Sequence, residues 1–366
     1  MFRFTEVSKI HCGKIAGRRK DMRRKICAAL SAFVLLLAAV SCDSRPTLRI
    51  YCWTYYLPDE VIRAFEQEFD VRIVYDQYAS NEEMLARIQA GGVNFDLVFP
   101  SGDFVYILMQ DKRLEPIDHS LLKNMGNIDP VILEKTVYDP GMEFSVPYFY
   151  GAAGITVNTA VVGEDFDRSW SIFSREDLKD RMTMLDDMRE VMGGALTFLG
   201  YSVNSQNPDE INQAVNLIKD SWRPNLVKFD SEAFAKGFAN GNFAVSHGYP
   251  EAIFEEIAGN TALTENAVFF IPKEGGPAYI DSMVIPKGAK NIPLAHEFID
   301  FIHRPEIYAK FADAFRFPAS VNVPARQLTT STPMYTLEEL ANTELRLDVG
   351  DAFSLFDNAW NSIRIE

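Results

Sequence analysis

Two aromatic residues, Trp53 and Tyr56, flank the polar Thr54 near the start of the globular part of this chain, and Ser101 and Asp103 follow in the same region. Ring faces attract cations, hydroxyl groups orient a ligand by hydrogen bonds, and a carboxylate binds a cation by charge. These residue types suit noncovalent binding of a small molecule. Whether they form one site depends on the elements that carry them.

Strands and helices alternate in the first third of the chain. Strands are predicted at 48–52, 71–75 and 95–99, and helices at 58–69 and 80–90. Strands separated by helices imply a parallel sheet, and such sheets bind ligands beyond the carboxyl ends of their strands. The residues that fall at those ends are Trp53, Thr54, Tyr56, Tyr78, Ser101 and Asp103. This convergence predicts a binding site.

The chain begins with a predicted export signal at residues 1–41. A basic stretch precedes an apolar run from Ile26 to Val40, and small residues lead into Cys42, an order typical of a secretory signal. The run is short for a membrane-spanning helix, which needs about 20 residues. We expect acylation of Cys42 and a lipidated linker at 42–46, with Met22 as an alternative start and plain secretion as the alternative fate.

The exported part is strongly acidic. Residues 1–41 hold nine of the 36 Lys and Arg residues and two of the 51 Asp and Glu residues, so the net charge of the remainder is −22. This charge repels nucleic acid, which requires a basic surface, and concentrates cations around the molecule. Only Cys42 and Cys52 remain after processing, which excludes a disulfide framework and a cysteine-based zinc site. The composition favours a small cationic ligand.

Common enzyme motifs are absent from the sequence. It contains no Gly-x-Ser-x-Gly, His-Glu-x-x-His, Gly-x-x-x-x-Gly-Lys or Gly-x-Gly-x-x-Gly pattern, and its five histidines are scattered. The exported part is long enough for two domains. We therefore expect a two-domain binding protein that is not an enzyme and has no cofactor and no metal site.

Seven fragments between about residues 47 and 352 form a recognisable series. They are, in chain order, Trp53-Thr54-x-Tyr56, Tyr78-x-Ser80-Asn81-Glu82, Phe95-Asp96-Leu97-Val98-x-Pro100-Ser101, Asp187-x-Arg189-Glu190-Val191, Pro272-Lys273-Glu274-Gly275-Gly276, Tyr279-x-Asp281-Ser282 and Asp348-Val349-Gly350. Together they resemble the periplasmic spermidine/putrescine-binding proteins of ABC importers. Each fragment alone is weak, but their number and order make the resemblance specific.

The resemblance implies an α/β fold of the two-lobed periplasmic binding protein type, close to its type II form. Each lobe would be a mainly parallel sheet flanked by helices, with the ligand cleft between the lobes. We expect the N-terminal lobe to hold residues 47–153 and 281–324, and the C-terminal lobe to hold 154–280 and 325–366.

The resemblance also assigns ligand contacts. They are Trp53, Thr54, Tyr56 and Ser101 from the first lobe, Asp187 and Glu190 from the second, and Tyr279 and Asp281 from a connection between the lobes. Three positions depart from the family pattern, because Asp103 replaces an aromatic residue, Ser246 replaces a tryptophan and Arg346 replaces a glutamine. The segment 247–251 could supply a replacement contact.

A polyamine is a methylene chain with an ammonium group at each end, so its site needs separated carboxylates with aromatic walls between them. Fewer stacking surfaces and the cation of Arg346 favour the diamine putrescine over the triamine spermidine, although the carboxylate of Asp103 argues the other way. The expected partners are a permease and its ATPase. We expect a periplasmic monomer that contacts the membrane only through its lipid anchor.

Several of these residues have a structural alternative. Asp187 and Glu190 could cap a helix, Arg346 could neutralise a nearby carboxylate, and the aromatic residues at the first strand end could belong to the core. Two other functions stay open. One is a binding protein for ferric iron or another cation, suggested by the pair Tyr55 and Tyr56, and the other is a surface lipoprotein that acts as a sensor or adhesin.

Overall fold

A computed structural model of the chain describes residues 45–54, 56–91 and 94–365. Contacts divide the chain between Pro46 and Thr47, and the compact unit that begins at Thr47 contains every element named below. Within the described part, no helix is both long enough and apolar enough to cross a membrane.

Three predictions fall on residues outside the described part. They concern the signal peptide at 1–41, the lipidated Cys42 and the contribution of Tyr55 to a cation site. Each of them stays a prediction.

The strands are β1 (Thr47–Trp53), β2 (Arg72–Tyr78), β3 (Leu97–Val98), β4 (Leu114–Glu115), β5 (Ser145–Ala152), β6 (Gly154–Asn158), β7 (Met182–Met184), β8 (Leu226–Phe229), β9 (Val245–Gly248), β10 (Ala267–Phe270), β11 (Pro277–Pro286) and β12 (Glu344–Leu345). The helices are α1 (Asp59–Phe69), α2 (Asn81–Ala90), α3 (Gly102–Gln110), α4 (Pro130–Lys135), α5 (Thr159–Val162), α6 (Met188–Phe198), α7 (Pro208–Leu217), α8 (Phe234–Ala239), α9 (Pro250–Ile257), α10 (Thr261–Asn266), α11 (Ile292–Ile302), α12 (Pro305–Phe315), α13 (Leu337–Ala341) and α14 (Phe353–Ile365).

The strands form two mixed sheets. The first has the order β12-β11-β3-β1-β2, with β4 and β5 also paired to β11, and the second has the order β10-β6-β9-β7-β8. The predicted parallel pairing holds for β1 with β2 and with β3. β11 runs antiparallel to β3, β4 and β5, and β6 runs antiparallel to its neighbours β9 and β10. The sheets are therefore less parallel than the sequence suggested.

The first helices begin with the predicted signals, shifted by one residue. Pro58 is the N-cap of α1 and not its first residue. The Ser80 side chain accepts a hydrogen bond from the Glu83 amide at 3.1 Å, whereas the Glu83 carboxylate accepts one from the amide of Ala79 and not from that of Ser80. These caps fix the direction in which β2 leads into α2.

The predicted strand at 95–99 is shorter than expected. Only Leu97–Val98 pairs as β3. Asp96 before it donates its amide to the carbonyl oxygen of Arg49, and its carboxylate accepts hydrogen bonds from the backbone amides of Arg49, Lys290 and Asn291. The following residues still lead directly to Ser101, so the strand end is where the sequence placed it.

Each sheet has its own hydrophobic core, and the chain passes from the first sheet to the second with only Ala153 between β5 and β6. The first core also includes Ala325, Tyr335, Leu340 and Leu345. The lobe boundaries stay a proposal, and this packing supports a first lobe that extends through residue 345, with α14 in the second lobe.

Candidate functional site

Asp281 lies on β11 and is almost completely buried. The Tyr56 hydroxyl donates to its Oδ2 and the Ser101 hydroxyl to its Oδ1, both at 2.6 Å. The Asn81 side chain donates to the Ser101 hydroxyl at 3.1 Å and fixes its orientation. The structure therefore brings together three residues that the resemblance assigns to the ligand.

The carboxyl group of Asp281 has neutral donors but forms no ion pair within the described part of the chain. Burial raises its pKa to about 7, and the hydrogen bonds from Ser101 and Tyr56 and the charge of Arg346 oppose this rise. A buried carboxylate is neutralised either by a proton or by a cation. This position could exchange one for the other near neutral pH.

Asp187 and Glu190 lie at the start of α6. Asp187 is the N-cap, and its Oδ1 accepts hydrogen bonds from the amides of Arg189 and Glu190 at 2.9 and 3.0 Å. Glu190 follows in the first turn and is completely buried. The helix cap proposed as an alternative is thus present, and it also turns the second carboxylate into the protein interior.

Arg346 lies against these two carboxylates. Its Nη1 is 3.0 Å from Glu190 Oε1 and 3.8 Å from Asp187 Oδ2, and only 8% of its side chain is exposed. Neither carboxylate oxygen of Glu190 accepts a hydrogen bond of good geometry from the described residues. The contact is a charge pair that leaves acceptor capacity on Glu190.

The backbone around Arg346 is held on both sides. The Arg346 amide donates to the carbonyl oxygen of Ala278 on β11 at 2.9 Å. Arg189 donates to the carbonyl oxygen of Leu347, and Asn204 accepts from the Leu347 amide at 2.8 Å. Arg346 is therefore held in a fixed position beside these carboxylates.

The charges of Asp187, Glu190 and Arg346 act on one another. Burial raises the pKa of Glu190 to about 8, and the guanidinium groups of Arg346 and Arg189 oppose this. Burial lowers the pKa of Arg346, but the charges of Glu190, Asp103 and Asp187 outweigh it and hold that pKa well above its usual value. The guanidinium is a permanent positive charge beside the two carboxylates.

Two tyrosine rings lie near the acidic groups. Tyr279 precedes Asp281 on β11, and its ring centroid is 6.0 Å from that of Tyr249, which caps α9. Burial raises the pKa of Tyr249, as do the charges of Glu190, Asp187 and Asp281, while Arg346 lowers it. Tyr249 is thus within electrostatic reach of both acidic groups.

Trp53 and Thr54 lie at the end of β1, as the sequence predicted. The Trp53 indole donates to the carbonyl oxygen of Phe99 at 2.8 Å, and its ring centroid is 4.6 Å from that of Tyr78. Thr54 is exposed, and its amide donates to the carbonyl oxygen of Tyr78. These contacts anchor the strand end, and the ligand roles of both residues stay predictions.

Asp103 and Ser246, the two other departures from the family pattern, have different surroundings. Asp103 is partly buried in the first turn of α3, and its charge raises the pKa of both Glu190 and Asp281. Ser246 is completely buried inside the second sheet, opposite Thr156 and Thr183. The structure brings Asp103 near the acidic groups, whereas no described contact connects Ser246 with them.

The pleat of β9 explains the position of Ser246. Gly248, on the same face of the strand, packs so closely that a Cβ there would lie 2.6 Å from the Phe234 ring of α8. The other face turns His247 into the second core, where its ring is 5.1 Å from that of Trp170 and burial lowers its pKa to about 3. Neither face of the strand interior is open to a ligand.

Tyr249 and Glu251 follow the end of β9. The sequence predicted only that their segment could supply a replacement contact, whereas the structure brings both residues within electrostatic reach of Asp281. β9 ends at Gly248, and Pro250 begins α9. The strand-end rule that selected Trp53 and Ser101 applies equally to Tyr249. Pro250, which is typical of a first helical residue, could have indicated that the strand ends just before Tyr249.

A family model described as bacterial extracellular solute-binding protein matches residues 60–336 of the chain. The spermidine/putrescine-binding periplasmic protein of Escherichia coli K12 is 32% identical over 353 residues, which cover 94% of this chain and 99% of the relative. The putrescine-binding periplasmic protein of the same bacterium is 30% identical over 327 residues, covering 85% and 88%. The solved TpPotD lipoprotein of Treponema pallidum is 48% identical, with a TM-score of 0.84 over 87% of this chain and all of that one.

Proposed function

The chain belongs to the family of bacterial extracellular solute-binding proteins, and from that premise we propose that it is the polyamine-binding lipoprotein of an ABC importer. Its relatives are solute-binding proteins of transporters, a family without enzymatic activity, and the likeness to a solved member confirms the predicted fold class. The proposal includes a monomer tethered by lipidated Cys42 that delivers its ligand to a permease and its ATPase. The signal pattern and the lipoprotein relative support the tether.

One observation carries the proposal. Acidic side chains stand in two groups, the partly exposed Asp187 with the buried Glu190, and the buried Asp281 by itself. The Tyr249 ring is within electrostatic reach of both groups and lies beside the Tyr279 ring. A charge-assisted hydrogen bond contributes ~1.5–3 kcal/mol and a ring face ~0.5–2 kcal/mol to binding an ammonium. A few of each, less the cost of ordering the ligand, reach the ~8 kcal/mol of micromolar affinity.

We further propose that the protein prefers putrescine to spermidine. Arg346 already pairs with Glu190, so an ammonium that reaches this end must share the carboxylates with a permanent cation. A triamine would bring one more positive charge into the same space. Two like charges about 4 Å apart repel by ~1 kcal/mol in water and by several times that in a drier site.

Calorimetric titration of residues 43–366 with putrescine, cadaverine, spermidine and ferric citrate tests the proposal. We expect micromolar or tighter binding of the amines, tightest for putrescine. Tighter binding of spermidine would overturn the preference alone. Binding of ferric citrate without binding of any amine would overturn polyamine transport in favour of the iron-binding alternative.

A further inference from the structure

We propose that Asn204 is a positioning residue of the candidate site, which holds the backbone on both sides of Arg346 and thereby sets the preference between a diamine and a triamine. Asn204 lies in the loop between α6 and α7 and is partly exposed. This role rests on the proposed function, because it acts through the selectivity assigned there to Arg346.

The side-chain amide of Asn204 uses all of its hydrogen-bonding capacity. Its Nδ2 donates to the carbonyl oxygen of Leu345 at 2.9 Å and to Glu344 Oε1 at 3.2 Å. Its Oδ1 accepts from the Leu347 amide at 2.8 Å and from Arg189 Nη2 at 3.0 Å. The first two partners can only accept and the last two can only donate, so the orientation of the amide group is determined.

Two of these four hydrogen bonds enclose Arg346. Leu345 precedes it and Leu347 follows it, so a single side chain holds the carbonyl group before Arg346 and the amide group after it. The Arg346 amide itself donates to the carbonyl oxygen of Ala278 on β11 at 2.9 Å. The direction in which the Arg346 side chain leaves the backbone is therefore set by Asn204 and β11 together.

The carboxylates that face Arg346 do not hold it in the same way. Its Nη1 lies 3.0 Å from Glu190 Oε1 and 3.8 Å from Asp187 Oδ2. Among the described residues, however, neither oxygen of Glu190 accepts a hydrogen bond of good geometry, and the Nε of Arg346 has no acceptor. A charge pair without directed hydrogen bonds lacks the geometric specificity of a bidentate pair. The position of the guanidinium group therefore depends on the backbone that carries it.

The hold on this segment connects the two hydrophobic cores. Asn204 lies between two helices that pack in the second core, whereas Leu345 on β12 belongs to the first. The loop makes two further bonds to β12, because the Ser202 hydroxyl and the Val203 amide donate to the carboxylate of Glu344 at 2.6 and 2.9 Å. The cation beside the acidic groups is thus fixed at a junction between the cores.

A fixed guanidinium group discriminates between polyamines better than a loosened one. Held beside Glu190, it neutralises that carboxylate and repels an additional ammonium group. Once the backbone is released, the Arg346 side chain gains freedom to move away and to leave Glu190 to the ligand. Fixing one long side chain changes a binding equilibrium by about two- to tenfold. Loss of the Asn204 side chain should therefore weaken the preference without abolishing binding.

Calorimetric titration of the exported chain with putrescine and with spermidine tests the inference through the ratio of the two dissociation constants. Asn204→Ala should shift this ratio toward spermidine by at least about twofold, and Arg346→Gln by at least as much. A protein with both changes should show the shift of Arg346→Gln alone. Asn225→Ala is the matched control, because its buried amide also bonds backbone carbonyl oxygens, those of Phe173 and Ser221. The control should lose stability and keep the wild-type ratio.

Nitrogen-15 relaxation of the Arg346 Nε–H group in the ligand-free proteins gives an independent readout. This group should be rigid in the wild type and in Asn225→Ala, and more mobile in Asn204→Ala. A purely structural role of Asn204 would lower stability without this local change. Equal rigidity of the group in the wild type and in Asn204→Ala would overturn the inference.

Two outcomes of the titrations would also overturn it. One is a wild-type ratio in Asn204→Ala, and the other is a shift that Asn204→Ala adds in full to that of Arg346→Gln, since Asn204 would then act by another route. Failure of the wild type to bind any amine would instead overturn the proposed function. An unchanged ratio in Arg346→Gln would overturn the selectivity assigned to that residue.

Discussion

The buried carboxylates at the two acidic ends of the candidate site, Glu190 and Asp281, have different kinds of partner. At one end Arg346, from the same chain, lies 3.0 Å from Glu190. At the other end Asp281 accepts hydrogen bonds only from the neutral hydroxyls of Tyr56 and Ser101 and has no ion pair within the described residues. The first end carries its own cation, whereas the second depends on what the solution supplies.

This difference indicates unequal roles in binding. At the first end the guanidinium of Arg346 stays charged at any pH at which the protein is folded, so it competes with a ligand for Glu190. A carboxyl group with a pKa near 7 and neutral donors can lose a proton in favour of a ligand. We therefore expect the Asp281 end to provide most of the affinity and the Arg346 end to provide most of the selectivity.

The largest expected effect is a pair of stability changes with opposite signs. Arg346→Gln should lose up to about 3 kcal/mol at pH 8, because it leaves the buried carboxylate of Glu190 without its cation, and less at pH 5, where Glu190 is protonated. Asp281→Asn should gain stability relative to the wild type as the pH rises. The folded-state pKa of Asp281 is about 7, above its usual 3.8, so the wild type loses stability from about pH 4 up to pH 7.

For Asp281 this loss is about 2–3 kcal/mol between pH 5 and pH 8, and the Asn variant avoids it. Urea unfolding of the ligand-free proteins at both pH values measures the two changes. Destabilisation of both variants by the same amount at pH 8 would mean that the two ends do not differ in the way described.

The second effect concerns affinity. Asp281→Asn should bind putrescine at least tenfold more weakly at pH 8, a loss of about 1.4 kcal/mol, because it removes the charge that an ammonium replaces. Asp300→Asn is a matched control, since that carboxylate accepts hydrogen bonds from the amides of Lys123 and Asn124. The control should lose stability but keep its affinity, and wild-type affinity in Asp281→Asn would remove Asp281 from the site.

The smallest effect is a change in selectivity. Arg346→Gln should improve spermidine binding relative to putrescine by several-fold, since a repulsion of ~1 kcal/mol or more disappears. The measured quantity is the ratio of the two dissociation constants in the wild type and in the variant. An unchanged ratio would mean that Arg346 does not determine which polyamine is preferred.

Local patterns predicted the first third of the fold. Apolar strands, the cap at Ser80 and the strand-end rule were sufficient to place β1, β2, α1 and α2 and the residues that follow them. The mixed character of the sheets was not predictable in the same way, because the pairing of β11 with β5 joins strands far apart in the sequence. Long-range pairing depends on the whole fold and not on local propensity.

The site could be predicted only in part for a similar reason. The resemblance selected Asp187, Glu190 and Arg346, and the sequence also allowed Arg346 to neutralise a nearby carboxylate, which the structure confirms. Which carboxylates it pairs with was not predictable, since they are far from Arg346 in the sequence. The resemblance also placed Ser246 at a ligand position. Which side of the sheet the Ser246 side chain occupies depends on the register of β9. A shift of one residue moves a side chain to the opposite face, and a single sequence does not report which face is covered.

The connection between β5 and β6 sets a mechanical limit on ligand capture. Only Ala153 separates a strand of the first sheet from a strand of the second, so the Cα atoms of Ala152 and Gly154 are two backbone steps and at most about 7 Å apart. The adjoining ends of the two strands therefore cannot move apart. The chain also passes between the sheets from β10 to β11, so we expect any motion of one sheet relative to the other to be a rotation for which the β5–β6 junction is one pivot. A rotation with a fixed pivot brings distant side chains together along an arc, so the same junction that limits the motion also makes it reproducible.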